Sequence, residues 1–187
     1  MDLPAHWGTS PAERARSTPA DDLVPAPRAR WTRGVTSTAS PAVLWRWVCQ
    51  LTVAPYSYDL VDNLDWSSSA PLRLPRVRRS PRELTPGADD VRAGQGLLVI
   101  FVVATVEPGR QMTLRRRRRG RGPVAEFAIT YAVAPDPAGS RLVATVAVDG
   151  TRRGGLLRAL LAWGDLVMMR RQLRTLAALA ARCSAGE

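Results

Sequence analysis

The sequence predicts an α+β fold in which a curved antiparallel β-sheet wraps around a long C-terminal α-helix. Three observations predict it: a short capped helix at 40–52, apolar strands joined by short turns from about 96 to 150, and one long apolar helix from about 156 to 182. Strands that follow each other through short turns pair antiparallel. A terminal helix against such a sheet can enclose a cavity, so this order of elements points to a hydrophobic-ligand pocket.

The composition is that of one folded domain with an excess of positive charge. Its 187 residues fit a single domain, and 45% of them are hydrophobic, which is enough for a sizeable core. The formal net charge is +11, and all 27 basic residues are arginine. An arginine-only bias with abundant alanine, proline and glycine is typical of a GC-rich bacterial genome, so the charge alone is weak evidence for phosphate recognition.

Histidine and cysteine chemistry is poorly represented. His6 is the only histidine, and the two cysteines, Cys49 and Cys183, form no CxxC pair. These counts argue against a histidine-based catalytic triad and against a zinc site. We therefore predict no metal and no cofactor, and we expect both cysteines to be reduced.

No segment has the pattern of a membrane span or a secretory signal. The strongest apolar run, Leu97 to Val106, has ten residues, whereas a spanning helix needs about 20. The first 27 residues lack a continuous apolar stretch and contain five prolines. We expect a cytoplasmic protein without a transmembrane segment.

The chain divides into an N-terminal tail at 1–27 and one domain at 28–183. The tail is rich in proline, alanine, serine and mixed charges, and we expect it to be disordered. The domain begins with a strand at 30–39. Ser40 and Pro41 then provide the N-cap and the first position of a helix. A second short helix at 56–64 and a loop at 65–79 precede the sheet.

Hydrophobic patterning predicts a meander of strands between 97 and 148. The run at 97–106 is apolar almost throughout, as in a strand covered on both faces, and its return strand is expected at 111–119. The strands at 124–134 and 141–148 alternate and so present one apolar face each. Phe127 and Tyr131 share one such face, whereas Glu126 points to the other.

The last helix changes character along its length. In its first half nearly every position is apolar except Arg158 and Asp165, which predicts burial on more than one side. In its second half Arg170, Arg171 and Arg174 lie opposite a narrower apolar stripe, which predicts that this half lies on a surface. The members of that stripe are Leu166, Met169, Leu173, Leu176 and Ala180.

Four stretches add a family resemblance: Ala-Pro-Tyr-Ser-Tyr-Asp-Leu-Val-Asp-Asn-Leu (54–64), Arg-Ser-Pro-Arg-Glu-Leu-Thr-Pro-Gly (79–87), Val-Glu-Pro-Gly-Arg (106–110) and Gly-Asp-Leu-Val-Met-Met-Arg-Arg-Gln-Leu-Arg (164–174). With the layout of elements, they resemble the START-like, helix-grip superfamily, also called SRPBCC or polyketide cyclase/dehydrase and lipid-transport proteins. The resemblance covers about residues 28–182. It implies a cavity between sheet and C-terminal helix that binds lipids, sterols, polyketides or other apolar molecules, with cyclisation or dehydration in some members. The family has no universal catalytic residues, so none is carried over.

Aromatic and methionine side chains expected near the cavity are the ligand-binding candidates. They are Tyr56, Tyr58, Phe101, Phe127, Tyr131, Trp163 and Met168. Plain core packing uses the same residue types, so the pattern does not separate a pocket from a filled core. Tyr58, Asp59 and Tyr131 are the acid/base candidates if the protein is an enzyme. Acids near the start of a short helix are also favoured by the helix dipole without any catalytic role.

The most conspicuous charge run is 115–119, with Arg121 close behind. On a strand, alternate arginines point to opposite faces, so a solvated hairpin end explains the run better than a single binding patch. Peripheral contact with an anionic membrane through Arg115, Arg117 and Arg119 stays open. Nucleic acid is not favoured, because no interleaved aromatic signature accompanies the run.

Three functions therefore remain open. The first is a carrier or sensor that holds a hydrophobic small molecule in an internal cavity. The second is a polyketide cyclase or dehydratase on the same fold. The third is a binder of nucleic acid or anionic membrane through the arginine-rich hairpin. The sequence gives no information on the ligand's identity or on the oligomeric state.

Overall fold

A computed structural model describes residues 2–57, 80–97, 101–117, 126–149 and 155–185, with side chains described from residue 159 onwards in the last range. The elements in chain order are β1 (His6–Trp7), α1 (Pro11–Ala15), α2 (Pro19–Leu23), β2 (Ala29–Ser37), α3 (Pro41–Cys49) with a 3₁₀ turn at Gln50–Thr52, β3 (Gly96–Leu97), β4 (Phe101–Glu107), β5 (Gln111–Arg116), β6 (Phe127–Asp136), β7 (Gly139–Val148) and α4 (Gly155–Ala185).

The seven strands form one sheet in the order β1-β2-β7-β6-β5-β4-β3. Every neighbouring pair is antiparallel except β1 and β2, which run parallel. Strands β4 to β7 form a continuous meander, and the long helix α4 follows it. The predicted α+β class, with an antiparallel sheet and a long C-terminal helix, is confirmed.

The apolar run at 97–106 is not one strand, as predicted, but belongs to two. Leu97 pairs with Phe101 and Gly96 with Val102 in an antiparallel register, so the chain direction reverses within the run. An uninterrupted run of apolar residues contains no glycine, proline or polar turn residue to mark a reversal. The prediction was wrong because hydrophobicity reports burial and not direction.

The concave face of the sheet packs against α3 and α4. Met112, Tyr131, Ala144 and Arg33 lie side by side in register across β5, β6, β7 and β2, and all four are buried. Helix α3 begins at the predicted Ser40 cap, whose hydroxyl accepts the Val43 N–H, and contributes Leu44, Trp47 and Val48 to the same core. The core therefore lies between the sheet and the buried side of α4.

The convex face carries a row of buried threonines. Thr32, Thr145, Thr130 and Thr113 lie in register across β2, β7, β6 and β5. The Thr113 and Thr130 hydroxyls are 2.9 Å apart, and the Thr130 hydroxyl also accepts the backbone N–H of Ala20 in α2. The N-terminal segment thus covers this face of the sheet.

The structure corrects the prediction that residues 1–27 are disordered, because residues 2–27 form β1, α1 and α2 on the sheet. Two of the five prolines of this segment, Pro11 and Pro19, stand in the first turns of α1 and α2, where a missing N–H costs nothing. Arg141 of β7 donates to Glu13 at 2.7 Å, and Arg30 of β2 donates to Asp21 at 2.8 Å. These two ion pairs and the buried Ala20 attach the segment to the sheet.

From residue 159 onwards, where its side chains are described, helix α4 is buried along one stripe. The residues predicted for the stripe of its second half, Leu166, Met169, Leu173, Leu176 and Ala180, are all buried. The first half, predicted to be buried on more than one side, instead exposes Leu160 by 61%, Trp163 by 49% and Val167 by 50%. In the part of the chain that the structure describes, no helix is both long and apolar enough to cross a bilayer.

Candidate functional site

An open groove of about 740 Å³ lies between one flank of α4 and two stretches of chain at 56–57 and 80–82. Its lining is supplied by Tyr56, Ser57, Ser80, Pro81, Arg82, Val167, Arg170, Arg171, Arg174, Thr175, Ala178, Leu179 and Arg182. The helical residues among them recur every three or four positions, which places them on one flank of the helix. The groove is therefore on the side of α4 turned away from the core.

The lining combines a high positive charge with a few apolar contacts. Five arginines contribute to it, and no acidic side chain is found among the described lining residues. Pro81, Val167, Ala178 and Leu179 supply apolar surface between the arginines. Because each guanidinium carries a permanent charge and five N–H donors, this lining favours anionic ligands with an apolar body.

Two hydrogen bonds fix the wall at residues 55–57 to the helix. The Nε of Arg171 donates to the Ser57 carbonyl at 2.7 Å, and the Nε2 of Gln172 donates to the Pro55 carbonyl at 2.5 Å. Tyr56, between these two anchors, has φ of +56° and packs edge-on against Trp47, with 6.1 Å between ring centroids. This backbone turn brings the buried Tyr56 ring to the floor of the groove.

The phenol of Tyr56 does not ionise near neutral pH in this position. Burial raises its pKa to about 12, so the phenol is neutral at physiological pH. Its hydroxyl lies 3.4 Å from the Gln50 Oε1, to which it donates. The groove can therefore use Tyr56 as an aromatic surface but not as a general base.

Two of the groove arginines also contact the N-terminal segment. The guanidinium carbons of Arg170 and Arg174 lie 5.3 and 5.2 Å from the ring centroid of Trp7. Such cation–π contacts hold the guanidinium planes while leaving several of their N–H groups available. Strand β1, which the sequence did not predict, therefore helps to position the positive charge along this helix.

A buried polar cluster lies behind the groove, between sheet and helix. The Tyr131 hydroxyl donates to Gln172 Oε1 at 2.7 Å, so Gln172 connects the core to the groove wall at Pro55. Arg33, whose side chain is 0% exposed, pairs with Asp165, which is 19% exposed, at 2.9 Å. Burial raises the pKa of Asp165 to about 6 although Arg33 favours its charged form.

The polar cluster holds two N–H groups without partners among the described residues. These are Arg33 Nε and Trp47 Nε1, both buried. Burial and the charge of Asp165 raise the pKa of Tyr131, so its phenol stays protonated. None of these four residues lines the groove. The cluster therefore holds α4 and α3 to the sheet rather than offering acid/base groups to a ligand in the groove.

The structure brings together few of the residues predicted from sequence. Of the six ligand-binding candidates that the structure describes, only Tyr56 lines the groove. Phe101 and Phe127 contact each other at 5.4 Å against the core, Tyr131 is buried in it, Met168 is half-buried, and Trp163 is exposed. Tyr58 and Asp59 lie outside the described residues, as does Arg119, while Arg115 and Arg117 are exposed. The ligand-binding role of these residues stays a prediction.

Sequence reasoning missed the groove arginines at 82 and 182 and read those at 170, 171 and 174 as a solvated face. Arginines opposite a buried stripe are typical of any surface helix, so nothing distinguishes them locally. One signal was available: Asp165 is the only acidic residue between 155 and 185, against five arginines. An ordinary solvated helix usually carries both signs of charge.

Comparison with known proteins supports the fold. No protein-family model matches the chain, and no curated protein matches its sequence. The di-domain ARO/CYC StfQ from the steffimycin biosynthetic pathway aligns with a TM-score of 0.51 at 10% identity, over 83% of this chain and 51% of StfQ. A protein from Chromobacterium violaceum aligns with a TM-score of 0.49 at 13% identity, over 81% of this chain and 96% of its own. A third, from Mesorhizobium loti, gives 0.47 at 16% identity, over 82% and 97%.

The chain has the helix-grip fold. Its sheet meander, short early helix and long C-terminal helix follow that arrangement, and the fold implied by the START-like resemblance is confirmed. Sequence identities of this size concern the fold alone. The chemistry of the groove has to be argued from the residues of this chain.

Proposed function

We propose that the protein binds a small amphipathic molecule, with an apolar or aromatic body and an acidic group, in the groove beside α4. The observation that carries the proposal is the lining itself: five arginines and no acid, interrupted by Tyr56, Pro81, Val167 and Leu179. The volume of about 740 Å³ falls in the usual range of small-molecule sites, roughly 300–1,000 Å³. The ligand predicted from sequence was hydrophobic, and the groove adds an anionic group to it.

The acidic group is the specificity element. A carboxylate, sulfonate or phosphate can accept charge-assisted hydrogen bonds from two guanidinium groups at once, each stronger than a neutral hydrogen bond. Arg82 and Arg182 approach the groove from opposite walls, the first from the stretch at 80–82 and the second from α4. A neutral ligand of the same shape would leave the guanidinium groups hydrogen-bonded to water and would gain only the apolar contacts.

The groove supports binding rather than turnover. Its described lining holds no carboxylate, histidine or cysteine, and the pKa of Tyr56 is raised away from neutrality. A general acid or base must lie within hydrogen-bond reach of its substrate. The fold shared with StfQ, a protein of a biosynthetic pathway, is compatible with a carrier or sensor of a small molecule.

The test uses two fluorescent probes that share an aromatic body and differ in charge. These are 8-anilinonaphthalene-1-sulfonate, which is anionic, and N-phenyl-1-naphthylamine, which is neutral. We expect the sulfonate to bind at least about 10-fold more tightly, a difference of about 1.4 kcal/mol. The double variant Arg82→Gln/Arg182→Gln should lose about 10-fold in sulfonate affinity and little in affinity for the neutral probe.

The matched control removes the same charge elsewhere. Arg92 and Arg110 are exposed arginines outside the groove that pair with Asp90 and Glu107. The variant Arg92→Gln/Arg110→Gln should bind the sulfonate as the wild type does. Equal affinity for both probes, or an equal loss in both double variants, would show that general positive charge and not the groove binds the anion.

A further inference from the structure

The outer side of α4 carries a continuous stripe that changes from apolar to cationic. Leu160, Trp163 and Val167 are followed at the same three- and four-residue spacing by Arg170 and Arg174, and we call these five residues the outer stripe. All five are exposed. At about 1.5 Å per residue the outer stripe is roughly 21 Å long. Its apolar half is nearly opposite the buried stripe of the same helix and has no role in the core.

Exposed side chains of this size at adjacent positions require an explanation. Scattered single apolar residues are normal on a protein surface, whereas adjacent ones mark interaction sites. Leu161, next to the outer stripe, is also 46% exposed. Four large apolar side chains within eight residues are thus exposed, and three of them, Leu160, Trp163 and Val167, share one face of the helix and form one apolar patch.

Charge indicates the partner. The only acid of α4, Asp165, points away from the outer stripe and pairs with the buried Arg33. The cationic half therefore has no acid of its own helix beside it. A second copy docked on this face would place its arginines near those of the first copy. The two sets of positive charges would repel each other, because the stripe carries no carboxylate to compensate them. An anionic lipid surface supplies both the apolar interior and the phosphates.

We propose that the outer stripe docks the protein on an anionic membrane surface. Leu160, Trp163 and Val167 enter the boundary between acyl chains and headgroups, where tryptophan is favoured. Arg170 and Arg174 stay at the level of the phosphates and donate to them. Because the apolar and cationic halves are separated along the helix axis, α4 meets the membrane tilted, with its N-terminal half deeper.

This docking surface overlaps the ligand groove at Val167, Arg170 and Arg174, but each of the two also has residues of its own. Leu160 and Trp163 do not line the groove, and Arg82 and Arg182 are not part of the outer stripe. Variants can therefore separate the two proposals. The variant Leu160→Ser/Trp163→Ser should bind 8-anilinonaphthalene-1-sulfonate with unchanged affinity and lose its membrane affinity.

The experiment is sedimentation with vesicles of phosphatidylcholine alone and of phosphatidylcholine with phosphatidylglycerol at about 3:1. We expect binding only to the anionic vesicles, with a fall of at least about 10-fold in partitioning between low salt and 0.5 M salt, because screening weakens the phosphate contacts. Leu160→Ser/Trp163→Ser should reduce partitioning by at least about 10-fold at low salt. The control variant Leu3→Ser/Val53→Ser removes two other apolar side chains, 44% and 43% exposed, and should partition as the wild type does.

A second readout reports depth. Phosphatidylglycerol brominated on its acyl chains should quench the tryptophan fluorescence of the bound protein, and Trp163→Phe should remove most of that quenching while the protein still sediments. Three results would overturn the proposal: no sedimentation of the wild type with anionic vesicles, equal sedimentation of the two serine variants, or quenching that survives Trp163→Phe. A dimer that Leu160→Ser/Trp163→Ser converts to monomer would assign the patch to a second copy instead.

Discussion

Replacement of Asp165 by asparagine is expected to remove a specific pH dependence of stability. Burial raises the pKa of Asp165 from its ordinary value of 3.8 to about 6 in the folded protein. The folded state therefore holds this proton more tightly than the unfolded chain does. The stability that this proton contributes is complete below about pH 4 and is lost as the pH rises towards 6. The difference of about 2 pH units, at about 1.4 kcal/mol each, amounts to about 3 kcal/mol.

Urea denaturation of the wild type and Asp165→Asn at several pH values between 3.5 and 7 measures this effect. The wild-type free energy of unfolding minus that of the variant should fall by up to about 3 kcal/mol across this range, mostly between pH 4 and 6. Asp90→Asn is the control with the opposite sign, since the hydrogen bond from Arg92 lowers the pKa of the exposed Asp90. A difference for Asp165 that stays flat, or rises with pH, would refute the reasoning and show that Arg33 outweighs burial.

Two further predictions concern the N-terminal segment on the convex face. Thr130→Val leaves the Ala20 N–H and the Thr113 hydroxyl without their shared hydrogen-bond partner. Urea denaturation should show a free energy of unfolding lowered by about 1–2 kcal/mol. An unchanged free energy would mean that α2 does not pack against Thr130. Gly34→Ala places a Cβ 2.9 Å from the Gly8 carbonyl oxygen, which is too close and should displace the N-terminal segment from the sheet. Trypsin should therefore cleave this segment faster than in the wild type. An equal cleavage rate would contradict the prediction.

The sheet and the long helix could be predicted because local signals specify them. Alternation in β6 and β7 places one residue in two on the concave face, and the register brings Tyr131 opposite Ala144 as that pattern requires. Ser40 and Pro41 mark the start of α3 in the same direct way. These elements depend on residues close in sequence, which is the information that a single chain carries best.

The cover on the convex face could not be predicted for a physical reason. Threonine and alanine on the outer face of a sheet fit solvent as well as a partner, so Thr130, Thr145 and Ala128 carry no sign that they are buried. The segment that buries them contributes few apolar side chains of its own, chiefly Ala20 and Val24. Its attachment depends in part on contacts between residues more than 100 positions apart, namely the ion pair of Glu13 with Arg141 and the hydrogen bond from Ala20 to Thr130.

The first half of α4 shows the limit of reasoning from residue type. From their residue types and their positions on the helix, Leu160 and Trp163 were predicted to belong to the protein's own core. The structure leaves them outside it, while the arginines that follow them at 170 and 174 lie between Trp7 and the groove. In our two proposals the same helix therefore faces three different surroundings: the core on its buried stripe, an amphipathic ligand on one flank, and a lipid surface on its outer stripe. If the groove and stripe variants fail independently in the two binding assays, these are separate functions of one helix; if both variants fail in both assays, a single surface recognises one anionic amphiphile.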